Sequence, residues 1–152
     1  MTIEYKKKLI NFERTFDFNE LANFVDRNGF ESEFTSPNIH KDFILEYPIK
    51  IKKIQSDSYF NELYFLLNQE YNKKNYEADF FLFFSFTGGG KSLAHKDLEN
   101  VIIIGLYGKT IYIVENKEYL IEKGDLISIP KGIVHRAIGL SPRIILSFGI
   151  YN

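Results

Sequence analysis

Hydrophobic positions along the chain change their spacing near residue 79. Before it they recur every three or four residues, as on one side of a helix. Phe18, Leu21 and Val25 form one such stripe. Asp17 stands where an N-cap belongs, with Glu20 as its capping-box partner and Phe16 placed to staple onto Leu21, while Asn28-Gly29 supplies a left-handed stop. A second stripe opens near Ser58 and runs through Phe60, Leu63, Leu67 and Tyr71 until the polar NKKN segment ends it. Between the two predicted helices, "FILEYPIKIKKI" alternates β-branched residues with lysines around Pro48, which predicts an edge strand.

From residue 79 the texture is that of short strands. "DFFLFFSF" is followed by the breaker Thr87-Gly88-Gly89-Gly90, and then come "NVIIIGLYG", "KTIYIVE", "KEYLIE", "DLISIP", "IVHRAI" and "RIILSFGIY". Their links are tight and polar or glycine-containing, such as Glu115-Asn116-Lys117 and Lys123-Gly124-Asp125. Regularly spaced strands of this kind predict an antiparallel sandwich or barrel. Helices come first and strands afterwards, so the expected class is mainly β with N-terminal helices packed against the barrel. The expected organisation is one domain over 1–152, with a helical or mixed part at 1–78 and the barrel core at 79–152.

Composition refines this picture. The chain has 152 residues, long enough for one domain with a core. Aromatic residues make up 16%, from 15 Phe and 10 Tyr, so rings should fill much of that core. Nineteen basic and 20 acidic residues leave a net charge of -1, which gives no field to draw nucleic acid or an anionic membrane. The run Lys6-Lys7-Lys8 reads as a solvated edge. Cysteine is absent, so a transition metal would have to be held by histidine and carboxylate. The opening "MTIEYKKKLINFERTF" lacks an apolar core of signal-peptide length and no stretch is long enough to span a bilayer. A cytoplasmic protein is expected, with a homodimer through edge strands as a possibility.

Two short motifs invite chemistry. "TGGGKS" has the glycines and Lys-Ser of a phosphate loop, but Ser85 stands where its first glycine should be and no helix follows. A turn, or a close backbone approach, is the reading that fits. "SLAHKDLENV" places His95 and Asp97 two apart, on one side of an extended segment and able to share an ion. Such a pair needs a third ligand. His135 supplies one inside "GDLISIPKGIVH", where Gly124 turns a hairpin, Pro130 ends a strand, Gly132 makes the next turn and His135 re-enters the barrel. His40 also forms an H-x-D triplet with Asp42, but lies outside these motifs and reads as a loop histidine.

The spacing Gly124, five residues, Pro130-x-Gly132, two residues, His135 resembles the second motif of the cupin superfamily, and all four anchor positions match. The first cupin motif is partly present as His95, Asp97 and Gly108, with Val101 or Ile102 where the usual glutamate falls. An H-x-D pair with a distal histidine resembles the JmjC-like branch, whose members use Fe(II) and 2-oxoglutarate. The resemblance covers roughly residues 79–152 and implies a double-stranded β-helix, the cupin jelly-roll barrel. Two imidazoles and a carboxylate occupy one face of an octahedral ion and leave three positions open, as suits non-haem Fe(II).

A ketoacid co-substrate also needs a partner for its far carboxylate. JmjC-like relatives commonly place a lysine two residues after the glycine matched by Gly108; that position here is Thr110, and Lys109 should face the other way. Three other residues stand near family positions for this task. Ser92 precedes His95 by three, Arg143 opens the last strand and Tyr112 shares a face with Thr110. Each has a plainer alternative: a turn hydroxyl, a surface arginine after Ser141-Pro142, and a core ring. Arg143 also lacks the family's Arg-x-Ser, since Ser147 lies four residues on, and Arg136 should face away from the metal. The resemblance thus implies an Fe(II) and 2-oxoglutarate oxygenase acting on a small molecule or a peptide side chain. The alternative is a cupin, with or without metal, that binds or isomerises a small molecule without oxygen chemistry.

Overall fold

Capping decides where the helices begin. In the structure, a computed structural model that describes residues 1–12, 15–28, 32–34, 48–88 and 92–152, Asp17 precedes helix α1 (Phe18–Asn28). Its Oδ1 accepts from the N–H groups of Asn19 at 2.9 Å and Glu20 at 3.1 Å, which satisfies amides that the helix itself leaves open. Phe16 and Leu21 are both buried in one core cluster, as the staple requires. The second helix, α2 (Ser58–Tyr71), is capped by Asp57, whose side chain accepts from Tyr59 N–H at 2.9 Å. Phe60 and Leu67 are buried, and Leu63 and Tyr71 pack against the same cluster. Asn72 closes the helix by binding Asn68 Oδ1 and both the N–H and carbonyl of Tyr76. No helix among the described residues is long and apolar enough to cross a membrane.

The strands are β1 (Glu4–Lys6), β2 (Ser32–Phe34), β3 (Ile49–Ile51), β4 (Ala78–Ser85), β5 (Asn100–Tyr107), β6 (Thr110–Val114), β7 (Lys117–Ile121), β8 (Leu126–Ile129), β9 (His135–Gly139) and β10 (Arg143–Ile150). The larger sheet runs β1-β8-β5-β10-β4-β3-β2 and the smaller β7-β6-β9, with antiparallel pairing throughout. This is the double-stranded β-helix expected from the sequence, with helices on one side. Glu115 and Asn116, both at positive φ, make the two-residue turn from β6 to β7. The predicted edge strand is partly corrected: residues 43–47 of it lie outside the described residues, and Ile49–Ile51 pairs with β4 on one side and β2 on the other, so among the described residues β2 is the edge. Three-residue β2 carries too little pattern to be read from the sequence.

Three layers result. Alternate residues of the larger sheet face the helices, among them Phe80, Leu82, Ile102, Ile104, Leu146 and Phe148. The intervening ones, including Val101, Ile103 and Ile145, face the smaller sheet and meet Tyr112, Val114 and Ile127. The period of two along each strand thereby divides one sheet between two cores.

Two sequence features fall largely outside the described residues. His40 and Asp42 do so entirely, as do Gly89, Gly90 and Lys91 of "TGGGKS". Gly88 is described, and a Cβ there would lie 3.1 Å from the Leu140 carbonyl oxygen, the close backbone approach anticipated for this turn.

Candidate metal centre

The segment before β5 is drawn onto the edge of the smaller sheet. Ser92 N–H donates to Ala137 O at 2.9 Å, His95 and His135 exchange both backbone hydrogen bonds at 3.0 Å, and Gly132 N–H donates to Asp97 O at 3.0 Å. Ser92 adds a side-chain clamp, its Oγ accepting from Ala137 N–H at 2.7 Å. These bonds place His95 directly opposite His135, with ring centroids 4.4 Å apart.

Each imidazole is oriented by its own backbone. His95 Nδ1 lies 2.7 Å from Leu93 O, and His135 Nδ1 3.1 Å from Ile133 O. A carbonyl only accepts, so each Nδ1 donates its proton there, and it is Nε2 that gives up its proton to Asp97 or offers a lone pair to a metal. Both Nε2 atoms turn toward Asp97, at 3.5 Å from Oδ1 for His95 and 3.2 Å from Oδ2 for His135. One ligand atom from each residue lies within 4.8 Å of the others. Burial opposes the charge on Asp97, but hydrogen bonding and attraction from His135, with His95 and Lys50 adding to it, hold its carboxyl below the ordinary range. For His135 burial again opposes charge, and Asp97 together with the Ile133 carbonyl raises the imidazole above its usual value. Two nitrogen donors and an anionic oxygen, converging with the Leu93 and Ile133 carbonyls already orienting the two rings, fit a divalent transition metal.

A cavity of about 390 Å³ opens beside the three residues. Along β6 and β9, Val114 pairs with His135, Tyr112 with Ala137 and Thr110 with Gly139. Tyr112 lines the cavity, and burial raises its phenol well above the ordinary value, so it stays a protonated donor. Arg143 lines it too, only 3% exposed, with its guanidinium against Gly139. Gly139 follows His135 by four residues, roughly 13 Å along a strand. Ser92 also lines the cavity, and its hydroxyl hydrogen can still be donated while Oγ accepts from Ala137.

The sequence candidates therefore separate. His95, Asp97 and His135 come together, and Ser92, Tyr112 and Arg143 line the same cavity. Thr110 is buried but is absent from the lining. The surface alternative for Arg143 is overturned: β10 is buried along its whole length, so the residue that opens it points inward. Arg136 is exposed, as its alternation with His135 requires.

Lys50, Glu99 and Ser147 also line the cavity and were not anticipated. Two had a signal: Glu99 follows Asp97 by two, and Ser147 is an even number of residues from Arg143, which in a strand means the same face. Lys50 had none, because its place depends on pairing opposite Phe83. Its Nζ lies 3.7 Å above the centre of the Phe81 ring, a cation–π seat at the cavity wall.

No protein-family model matches the chain, and no curated protein does. Solved structures of YcfD from Escherichia coli, described as a ribosomal oxygenase, are similar to it. One has 19% identity and a TM-score of 0.72, covering 99% of this chain and 48% of YcfD. Another has 18% identity and a TM-score of 0.73, covering 99% and 50%. A complex of YcfD with cobalt and 2-oxoglutarate has 20% identity and a TM-score of 0.69, covering 99% and 48%. The chain thus spans about half the length of these proteins. At such identities the likeness carries the fold alone, the double-stranded β-helix described above.

Proposed function

We propose that the protein is a non-haem Fe(II) oxygenase that uses 2-oxoglutarate. The observation that carries this reading is the convergence of His95, Asp97 and His135 on a cavity that the buried cation Arg143 also lines. Shared fold with YcfD, which has been solved with cobalt and 2-oxoglutarate, supports it. Ferrous iron held by these residues would supply the chemistry of C–H hydroxylation by O₂ coupled to conversion of 2-oxoglutarate to succinate and CO₂.

The chain's own residues then have distinct tasks. His95 and His135 present Nε2, and Asp97 presents one carboxylate oxygen, as the three protein ligands. Arg143 holds the far carboxylate of the ketoacid with a charge-assisted, bidentate geometry, and burial makes each of those hydrogen bonds stronger than it would be in water. The Tyr112 phenol and the Ser92 hydroxyl donate toward the same molecule. Phe83, Val101, Ile103 and Ile145 wall the cavity and keep water from the reacting groups. A cavity of ~390 Å³ is of small-molecule size, so the substrate enters as a small molecule or as a side chain of a peptide.

Purified protein with Fe(II) should convert 2-oxoglutarate to succinate, and under anaerobic conditions the same mixture should develop a weak visible charge-transfer band. If neither appears and calorimetry detects no ketoacid binding, the oxygenase reading falls. Binding of some other small molecule, with no consumption of O₂, would then favour the non-oxidative alternative.

A further inference from the structure

The glycines of the barrel differ in what occupies the space a side chain would need. At Gly105 a Cβ would meet the Glu122 carbonyl oxygen at 2.1 Å, and at Gly108 the Pro142 carbonyl oxygen at 2.0 Å. Both neighbours are backbone, so these two glycines let chain pass chain. Gly139 is of another kind. A Cβ there would lie 1.5 Å from Arg143 Nη1, 2.3 Å from Cζ and 3.1 Å from Nε, so the whole guanidinium occupies the missing side chain's place. Gly139 is not among the positive-φ glycines, and its backbone alone does not require glycine.

The residue facing Gly139 across β6 and β9 is Thr110, so the guanidinium lies over a pair of small residues. Thr110 occupies the position at which the resemblance implies a cation, and here the cation arrives from β10 instead. An arginine entering from β10 needs room over β9 to lay its planar fork beside the cavity. Only a residue without a Cβ at 139 leaves that room.

We propose that Gly139 is a positioning residue for anion binding in the cavity: its bare backbone forms the slot that holds the Arg143 guanidinium at the wall of the cavity that His95, Asp97 and His135 also line. This rests on the ketoacid reading above. Because the atoms a Cβ would strike are the far end of a flexible side chain, Gly139→Ala relieves the clash by moving the guanidinium and leaves the fold intact. The ligand affected is a small dicarboxylate bound by metal at one end and by Arg143 at the other. Binding of the metal alone is independent of the slot.

The test is a double-mutant cycle on Mn(II)-loaded protein, with 2-oxoglutarate affinity measured by calorimetry and Mn(II) affinity and thermal midpoint measured alongside. Gly139→Ala should weaken 2-oxoglutarate about tenfold or more while Mn(II) affinity stays within twofold of wild type. In an Arg143→Ala background, adding Gly139→Ala should change nothing further. Arg143→Lys, whose slender ammonium needs no planar slot, should also become insensitive to residue 139. An unchanged 2-oxoglutarate affinity in Gly139→Ala, or an equal loss with and without Arg143, overturns the inference and leaves the ketoacid reading standing. Should wild type bind Mn(II) but no 2-oxoglutarate, the ketoacid reading and the inference both fail.

Discussion

The two faces of β10 have opposite characters although they belong to one strand. Ile144, Leu146, Phe148 and Ile150 face the helices and are apolar without exception. Arg143, Ile145, Ser147 and Gly149 alternate with them and face the interior of the barrel, where two polar side chains and a glycine interrupt the apolar surface. On the helix side, Phe60 packs its ring against Phe16, Phe24 and Phe80 with centroids 4.9, 5.6 and 6.3 Å apart. On the barrel side, a guanidinium is buried beside a cavity. Burying a charge is costly, and a layer chosen only for stability would fill that place with hydrocarbon. The comparison teaches that the helix-facing layer carries the stability and the barrel-facing layer carries the proposed chemistry.

Substitution at the proposed metal ligands should separate the faces most sharply. Asp97→Ala is expected to abolish succinate formation and to weaken Mn(II) binding by orders of magnitude, while chemical denaturation of the metal-free protein shows little loss. A variant that kept turnover would remove the barrel face from the chemistry altogether. The converse experiment is Phe60→Ala, which empties a fully buried site and should cost about 3–5 kcal/mol in urea denaturation. Folded Phe60→Ala protein should still bind Mn(II), and failure to do so would couple the layers.

Moving the cation is a finer test. Arg143→Ala should weaken 2-oxoglutarate about a hundredfold while Mn(II) affinity stays near that of the wild type. Adding Thr110→Lys to it should recover part of that affinity, because residue 110 faces the same slot from β6. Absence of any recovery would mean that the register of β6 does not aim residue 110 at the ligand.

The smallest effect expected belongs to the helix layer. Asp57 caps α2 and also receives the Asn28 amide at 2.6 Å and the Arg27 guanidinium at 3.2 Å, which ties the end of α1 to the start of α2. Burial opposes its charge, yet the Asn28 amide, the Tyr59 N–H and Arg27 outweigh that and lower its pKa. A carboxylate lowered on folding contributes stability that is fully present above its unfolded pKa, near pH 4, and is lost as pH falls through the lower folded value. Asp57→Ala should therefore cost about 1–2 kcal/mol at pH 7. The gap between wild type and variant should narrow in denaturation curves taken toward pH 2, and a gap that held steady with acid would show the cap to act without its charge.

Local patterns determined much of this protein by themselves. Period and caps located α1 and α2, the Gly124-Pro130-Gly132-His135 spacing identified the hairpins around the second histidine, and an H-x-D triplet named two of the three residues that converge. These features are legible because helix caps and turns are short-range, and because strand alternation assigns a side without knowledge of the partner strand. Tertiary structure decided the rest. Whether Arg143 pointed to solvent or to a cavity depended on β10 lying between β4 and β5, and Lys50 reached the cavity wall only through its register with Phe83. Thr110 and Arg143 are 33 positions apart in sequence, and only the pairing of β6 with β9 brings Gly139, and with it the guanidinium, to the place opposite Thr110. Long-range pairing is chosen by the packing of whole sheets, so no window of sequence around either residue contains it.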